Sequence, residues 1–117
     1  MSRHNPRVTL RQIQEAGGRL QSLCAGKTLV DLLDDWQATA ALERFIEVLG
    51  EAVKRLPLEL RARYPIVPWK EIAGTRDRLS HGYDDVDYQV LWNAVTHDIP
   101  VLLATVEQML QELDGKT

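Results

Sequence analysis

An all-α protein, an up-and-down bundle of four main helices with an additional short helix in one connection, is what three features of the sequence predict. Apolar residues recur at spacings of three and four through most of the chain, the period that gives a helix one apolar face. No stretch alternates apolar and polar residues in the way of a half-buried strand. There is also no internal repeat and no low-complexity tract, so neither a solenoid nor a disordered segment competes with a bundle. The 117 residues suffice for one hydrophobic core, and the expectation is a single domain over residues 1–117.

The elements follow in order. Thr9 can cap a first helix in which Leu10, Ile13, Gly17, Leu20 and Leu23 share a face, and Gly26 offers its stop. Gly17 and Gly18 inside that helix cost about 1 kcal/mol each relative to alanine, which points to a close helix approach or a local weak point. A second helix is expected from about Leu29 or Asp34 to Leu56, with Leu42, Phe45, Ile46, Leu49, Val53 and Leu56 as its apolar stripe. Pro57 ends it and opens a short helix through Leu60 to Tyr64; Pro65 and Pro68 then keep the chain extended until a new start at Pro68-Trp69. Trp69, Ile72, Ala73 and Leu79 repeat helically up to a stop at Ser80-His81-Gly82. The acidic turn Asp84 to Asp87 supplies an N-cap for the last long segment, where Tyr88, Leu91, Trp92, Val95, Leu102, Leu103, Val106, Met109, Leu110 and Leu113 face inward. Pro100 either kinks that helix or splits it at Asp98.

Composition narrows the function. Apolar residues at 44% and charged residues at 26% are ordinary globular values, and no apolar run approaches the ~20 residues of a membrane span. The opening MSRHNPRVTL lacks the apolar stretch of a secretory signal, and Cys24 is the single cysteine, so the expected location is the reducing cytoplasm. A net charge of −3 argues against coating nucleic acid by bulk electrostatics. Residues 54–78 nevertheless hold seven basic and three acidic residues, a local +4, while the remainder carries −7. Such a strip is either a solvated helix face or a surface for phosphates within about a Debye length.

The run Arg76-Asp77-Arg78-Leu79-Ser80-His81-Gly82-Tyr83 concentrates two guanidinium groups, an imidazole and a phenol at the end of a helix. Asp77 and His81 are four apart and share a face, so Asp77 can orient the imidazole. Arg76 and His81 are five apart, about 140° round an ideal helix, and converge only if the helix unwinds at His81 or a second subunit completes the site. An imidazole that moves protons beside a fixed positive charge is what phosphodiester cleavage needs. The residues alone also allow a histidine capping helix-end carbonyls among surface arginines.

Arg76, four intervening residues, His81, one residue and Tyr83 match the Arg-x4-His-x-Tyr signature of the minimal HEPN proteins known as HepT. The stretches Ala41 to Arg44, Ile46-Glu47, Leu49 to Leu56, Tyr64-Pro65, Pro68-Trp69-Lys70-Glu71-Ile72-Ala73-Gly74 and Tyr88 to Trp92 also look like that family, so the resemblance covers most of residues 8–113. It implies a HEPN fold and a metal-independent, cofactor-free endoribonuclease that works as a homodimer or a multiple of dimers, with the motifs of two protomers lining one cleft. It further implies the toxin of a type VII-like toxin–antitoxin pair, whose partner is a nucleotidyltransferase (MNT-type) antitoxin. By that similarity His81 is general base or acid at the ribose 2′-OH and scissile phosphate, Arg76 stabilises the phosphorane-like charge, Asp77 and Arg78 support them, and Tyr83 is the residue to which the antitoxin attaches AMP. Thr75 stands where the family more often has methionine, which leaves this reading intact.

Other readings are weaker. A di-metal bundle needs Glu-x-x-His pairs, and neither His81 nor His97 has a glutamate three residues before it. Cys24 and His4 lack zinc-ligand spacing. Gly74-Thr75 followed by Asp85-Val86-Asp87 loosely imitates a nucleotidyltransferase motif, but that motif needs a strand, and here a turn starts a helix. Trp36, Trp69 and Trp92 at helical spacing read as core or interface anchors, and His97 as a helix-end residue before Pro100. The alternative function is a non-catalytic HEPN-like bundle that binds nucleotides or a partner protein.

Overall fold

The protein is described by a computed structural model over residues 5–81 and 87–115, with the backbone alone for residues 76–81. It is all-α, with no strand among the described residues: α1 spans Pro6–Cys24, α2 Leu29–Leu33, α3 Trp36–Arg55, α4 Leu58–Ala62, α5 Trp69–His81, α6 Tyr88–Asn93, then a π-helical segment Ala94–Asp98 and α7 Ile99–Leu113. No helix of the described residues is long and apolar enough to cross a membrane.

The first helix starts earlier than Thr9. Asn5 Oδ1 accepts the Arg7 N–H at 2.9 Å, and Pro6 stands in the first turn, where its missing N–H leaves nothing unsatisfied. Thr9 therefore lies inside α1 and is buried rather than capping it. Gly26, at φ +72°, terminates the helix region as expected, because a left-handed residue without a Cβ ends a helix at little cost. The two possible starts of the second helix are both used, by separate helices. Thr28 and Asp31 form a reciprocal capping box for α2, and Asp35 Oδ1 then accepts the N–H groups of Gln37 and Ala38 at 3.0 and 3.2 Å to begin α3. Thr39 Oγ1 donates to the Leu32 carbonyl at 2.7 Å and ties the two together.

The core is a contiguous cluster to which every helix but α4 contributes buried apolar side chains. Leu42, Ile46, Leu49 and Val53 of α3 are buried, with Leu56 just past its end, while Phe45 is half-buried. α3 packs along α1 on one side and α5 on another; α1 also packs along α7. The short helix opened by Pro57 covers Leu58–Ala62, ending two residues before Tyr64, and lies on the surface. Trp36 departs from the core reading: it is 77% exposed, because it stands in the first turn of α3 beyond the reach of the neighbouring helices. Trp69 is buried and Trp92 packs half-buried against the core.

Pro100 divides the last segment. Its ring removes one helical N–H and collides with the carbonyl four residues back, and the chain answers with the wider π turn Ala94–Asp98 before α7 resumes at Ile99. Side chains take up carbonyls there. Thr96 Oγ1 donates to the Trp92 carbonyl at 2.9 Å, and His97 Nδ1 lies 3.0 Å from the Asn93 carbonyl. A carbonyl only accepts, so that contact puts the proton on Nδ1 and leaves Nε2 as the second ring nitrogen's free site.

Of the two adjacent glycines, one has a packing reason. A Cβ on Gly17 would stand 2.7 Å from Leu103 Cδ2 of α7, whereas one on Gly18 would meet nothing within 4 Å. Close approach of α1 to α7 thus accounts for Gly17. Gly18→Ala is expected to stabilise the protein by about 1 kcal/mol through helix propensity, and Gly17→Leu to destabilise it by about 1–3 kcal/mol through overpacking. Thermal or denaturant unfolding of the two variants checks this; effects of the same sign would contradict the close approach.

Candidate functional site

α5 is held by its first half. Pro68 precedes it, Trp69, Ile72, Ala73 and Thr75 are buried, and Trp69 Nε1–H donates to the Tyr64 carbonyl at 3.0 Å, fastening the turn that leads into the helix. Thr75 Oγ1–H donates to the Glu71 carbonyl at 2.8 Å, so the one buried polar side chain in this half is satisfied within the helix. The run from Arg76 to His81 then forms the last turns of the same helix.

Helical backbone extends through His81, so the helix does not unwind there, and the positions of Arg76 and His81 stay about 140° apart round its axis. Asp77 and His81 remain one turn apart on a common stripe. That stripe continues toward the N-terminus: Lys70, Gly74, Asp77 and His81 follow at intervals of four, three and four, within about 60° of one another. The side chains of Arg76, Asp77, Arg78 and His81 lie outside the described residues, and so does the whole of Tyr83.

The chain returns from this region in a fixed place. Asp87 is the member of the acidic turn that caps α6: its Oδ1 accepts the N–H groups of Gln89 and Val90 at 3.0 and 3.2 Å. One residue later the Tyr88 hydroxyl donates to the Glu43 carboxylate of α3. This hydrogen bond, followed by partial burial and the charge of Glu43, pushes the Tyr88 phenol up to about 12. The start of α6 is therefore tethered to α3.

The basic strip divides into two kinds of residue. Arg61 Nε–H donates to the Leu56 carbonyl at 3.2 Å and Arg55 Nη1–H to Gln12 Oε1 at 3.3 Å, so these two serve the ends of α3 and its contact with α1. Arg63 and Lys70 are exposed, and Lys70 stands in the first turn of α5 beside a groove that the sequence reading missed. This open groove of about 570 Å³ runs between α5 and the α6–π segment, and Lys70, Glu71, Gly74, Asn93, His97 and Asp98 line it. Burial raises the Asp98 carboxyl, the charge of His97 lowers it, and that of Glu71 raises it further. Asn93, His97 and Asp98 join Lys70 and Glu71 only through tertiary packing; the single sequence signal was the polar run before Pro100. Among the described residues no group of three or more His, Cys, Asp and Glu could hold a metal ion, and Cys24 is buried with its thiol pushed up by desolvation.

Comparison with known proteins gives a consistent family. A family profile described as "Ribonuclease HepT-like" matches residues 13–109. The chain is 40% identical over 107 residues to "Putative RNase TTE0752" of Caldanaerobacter subterraneus subsp. tengcongensis, covering 92% of this chain and 96% of that protein. It is 42% identical over 76 residues to "Putative RNase MJ1216" of Methanocaldococcus jannaschii, covering 65% of this chain and 63% of that protein. With "Probable ribonuclease HepT" of Thermococcus cleftensis it shares 36% identity over 100 residues, 86% of this chain and 91% of the other. No solved structure matches.

The Tyr88–Glu43 tether has a pH signature. A phenol whose folded-state pKa is raised contributes stability that is complete below its unfolded pKa of about 10 and is lost as pH rises through the folded value. Phenolate absorbance during alkaline titration is expected to reveal one tyrosine ionising at about 12, and Glu43→Gln should return it toward 10. An unchanged titration curve in Glu43→Gln would mean that the tether does not exist in solution.

Proposed function

The chain belongs to the HepT-like ribonuclease family, and from that premise we propose that it is a metal-independent endoribonuclease toxin, one HEPN domain in extent, whose Arg76 and His81 act at a cleft shared by two protomers. The observation that carries the reading is α5: a helix packed on α3 and buried through its first half ends in the stretch Arg76 to His81.

The chemistry follows from the residue types. His81 takes the proton from a ribose 2′-OH; the 2′-oxygen bonds to phosphorus as the bond to the 5′-oxygen breaks; a protonated imidazole gives a proton to that leaving oxygen. Negative charge accumulates on the non-bridging oxygens between these steps, and a guanidinium presents paired donors to it at a fixed charge. Asp77, one turn before His81, orients the imidazole, and Arg78 adds local positive charge. Positions 140° apart on one straight helix serve one phosphate most simply when a two-fold partner supplies the second group. In this reading one protomer's His81 is the base and its partner's is the acid.

Control belongs to the same stretch. A nucleotidyltransferase antitoxin that transfers AMP to the Tyr83 hydroxyl, with release of pyrophosphate from ATP, places a phosphate and a base at the mouth of the cleft. The new charge occupies the arginines meant for the substrate, and the nucleotide's bulk excludes the RNA chain.

Two outcomes are expected. His81→Ala should lower cleavage of single-stranded RNA in EDTA by roughly 10²- to 10⁴-fold with unchanged circular dichroism, since Trp69, Ile72, Ala73 and Thr75 already bury the first half of α5; a variant as active as its parent would end the assignment. On co-expression with the nucleotidyltransferase, intact mass should reveal one added AMP on the parent and none on Tyr83→Phe. Equal modification of both proteins would move the control to another residue.

A further inference from the structure

The groove between α5 and the π-helical segment has no part in the reaction just described, yet three independent features give it the form of a ligand site. The first is Gly74. A glycine in mid-helix costs about 1 kcal/mol relative to alanine, and a Cβ here would meet nothing within 4 Å, so packing does not require it. What its absent side chain leaves open is the groove itself, where a flat group can approach the backbone. The second is the π turn, which turns Asn93, His97 and Asp98 toward the same groove. Single π turns inside helices are frequent at functional sites. The third is register: Lys70 and Gly74 lie on the stripe of α5 that carries Asp77 and His81, so the groove leads along one helix face to the proposed cleft.

The lining is rich in acceptors. The Glu71 carboxylate makes no hydrogen bond or ion pair with any described residue. His97 directs Nδ1 at the Asn93 carbonyl, which leaves Nε2 for a ligand. Asn93 has its Oδ1 engaged by Gln89 at 2.9 Å, so its amide N–H groups are what it offers. Among the described residues of the lining, Lys70 supplies the lysine or arginine cation. A carboxylate that accepts two hydrogen bonds side by side fits a base whose pairing edge carries adjacent N–H donors, and guanine alone among the common bases presents a ring N–H beside an amino group.

We infer that this groove is a guanine-nucleotide subsite for single-stranded RNA, with Glu71 accepting from the guanine edge, Asn93 and His97 completing its hydrogen bonds, Gly74 as the bare floor and Lys70 on the adjoining phosphate. The assignment rests on the ribonuclease reading for its role in substrate choice. Glu71 and His81 are ten residues apart on α5, about 15 Å along the axis, so the guanine sits a few nucleotides from the bond that is cut.

The test uses the full chain and a 2′-O-methylated tetranucleotide with one guanine, which binds but cannot be cleaved, beside the same oligonucleotide with inosine, which lacks only the amino group. Backbone amide shifts of Gly74, Ala94 and His97 should follow the titration, and inosine should bind roughly 10- to 100-fold more weakly, as expected for a lost hydrogen bond to a charged group. Glu71→Gln should bind the two alike, and Gly74→Val, which fills the floor, should bind neither in the groove. Equal affinity of the parent for guanine and inosine overturns the inference. So do shifts confined to another face, or a groove already covered by a second copy in the free protein. Unmodified RNA is assayed for cleavage separately: guanine binding in the groove without any cleavage would sink the ribonuclease reading and leave the subsite standing.

Discussion

Burial of α3 on two sides is the constraint from which the remaining arrangement follows. Leu42, Ile46, Leu49, Ala52 and Val53 have almost no solvent exposure, and one neighbouring helix cannot cover them, because a stripe that wide exceeds a single helix contact. α1 takes one flank and α5 the other. Each buried Leu, Ile or Val is worth about 1.5–3 kcal/mol relative to exposure, far more than the hydrogen bonds at the helix ends. Loss of α3's packing would therefore release α5, and with it the stretch Arg76 to His81. The hydrogen bonds of Trp69 to the Tyr64 carbonyl and of Tyr88 to Glu43 are smaller contributions, which fix the turn before α5 and the start of α6 on α3.

The π segment resolves a conflict within the last third of the chain. Val95, Ile99, Leu102 and Val106 must stay buried on one side, while Pro100 forbids an unbroken α-helix through its own position. A clean break would expose several carbonyls at a buried junction. The wider turn keeps the chain helical, adds one residue to the turn, and so resets the rotation of everything before it relative to α7. Thr96 Oγ1 and His97 Nδ1 add side-chain contacts to the Trp92 and Asn93 carbonyls there. A consequence is that Asn93, His97 and Asp98 come to line a groove with residues of α5 from which they are separated by about two dozen positions in sequence.

Much of this was readable before any coordinates, and the exceptions have physical causes. The 3.6-residue period determined the helices, and Pro57, Pro68 and Pro100 marked three of their boundaries because proline acts through local sterics. The start of α1 was misread at Thr9 because two capping residues stood four apart and only the packing of Thr9 against the core decides between them. Trp36 departs from the core half of its reading for the opposite reason: helical spacing beside leucines says which face a side chain is on, not whether another helix reaches that end of it. Arg76, His81 and Tyr83 were readable as a family signature. Helical geometry alone said that the first two diverge, and the unbroken backbone of α5 removes one of the two ways in which they could have met. The groove was not readable, since no local pattern links Glu71 to His97.

Charge sets a last condition on how such a chain could act on RNA. A protein with net −3 repels a polyanion at long range, and within the 54–78 strip Arg55 and Arg61 are committed to α1 and to a helix end. Long-range attraction is thus a poor source of affinity, and short-range contacts must supply it: guanidinium groups near the scissile phosphate, and hydrogen bonds to a base. Pairing two copies about a two-fold axis doubles those local groups within a Debye length of one another, without altering the acidic surface elsewhere. The same logic makes the site vulnerable to a single added phosphate. Where a few arginines carry most of the attraction, an anion placed among them removes a large share of it, whereas a broad basic surface would absorb the change with little effect.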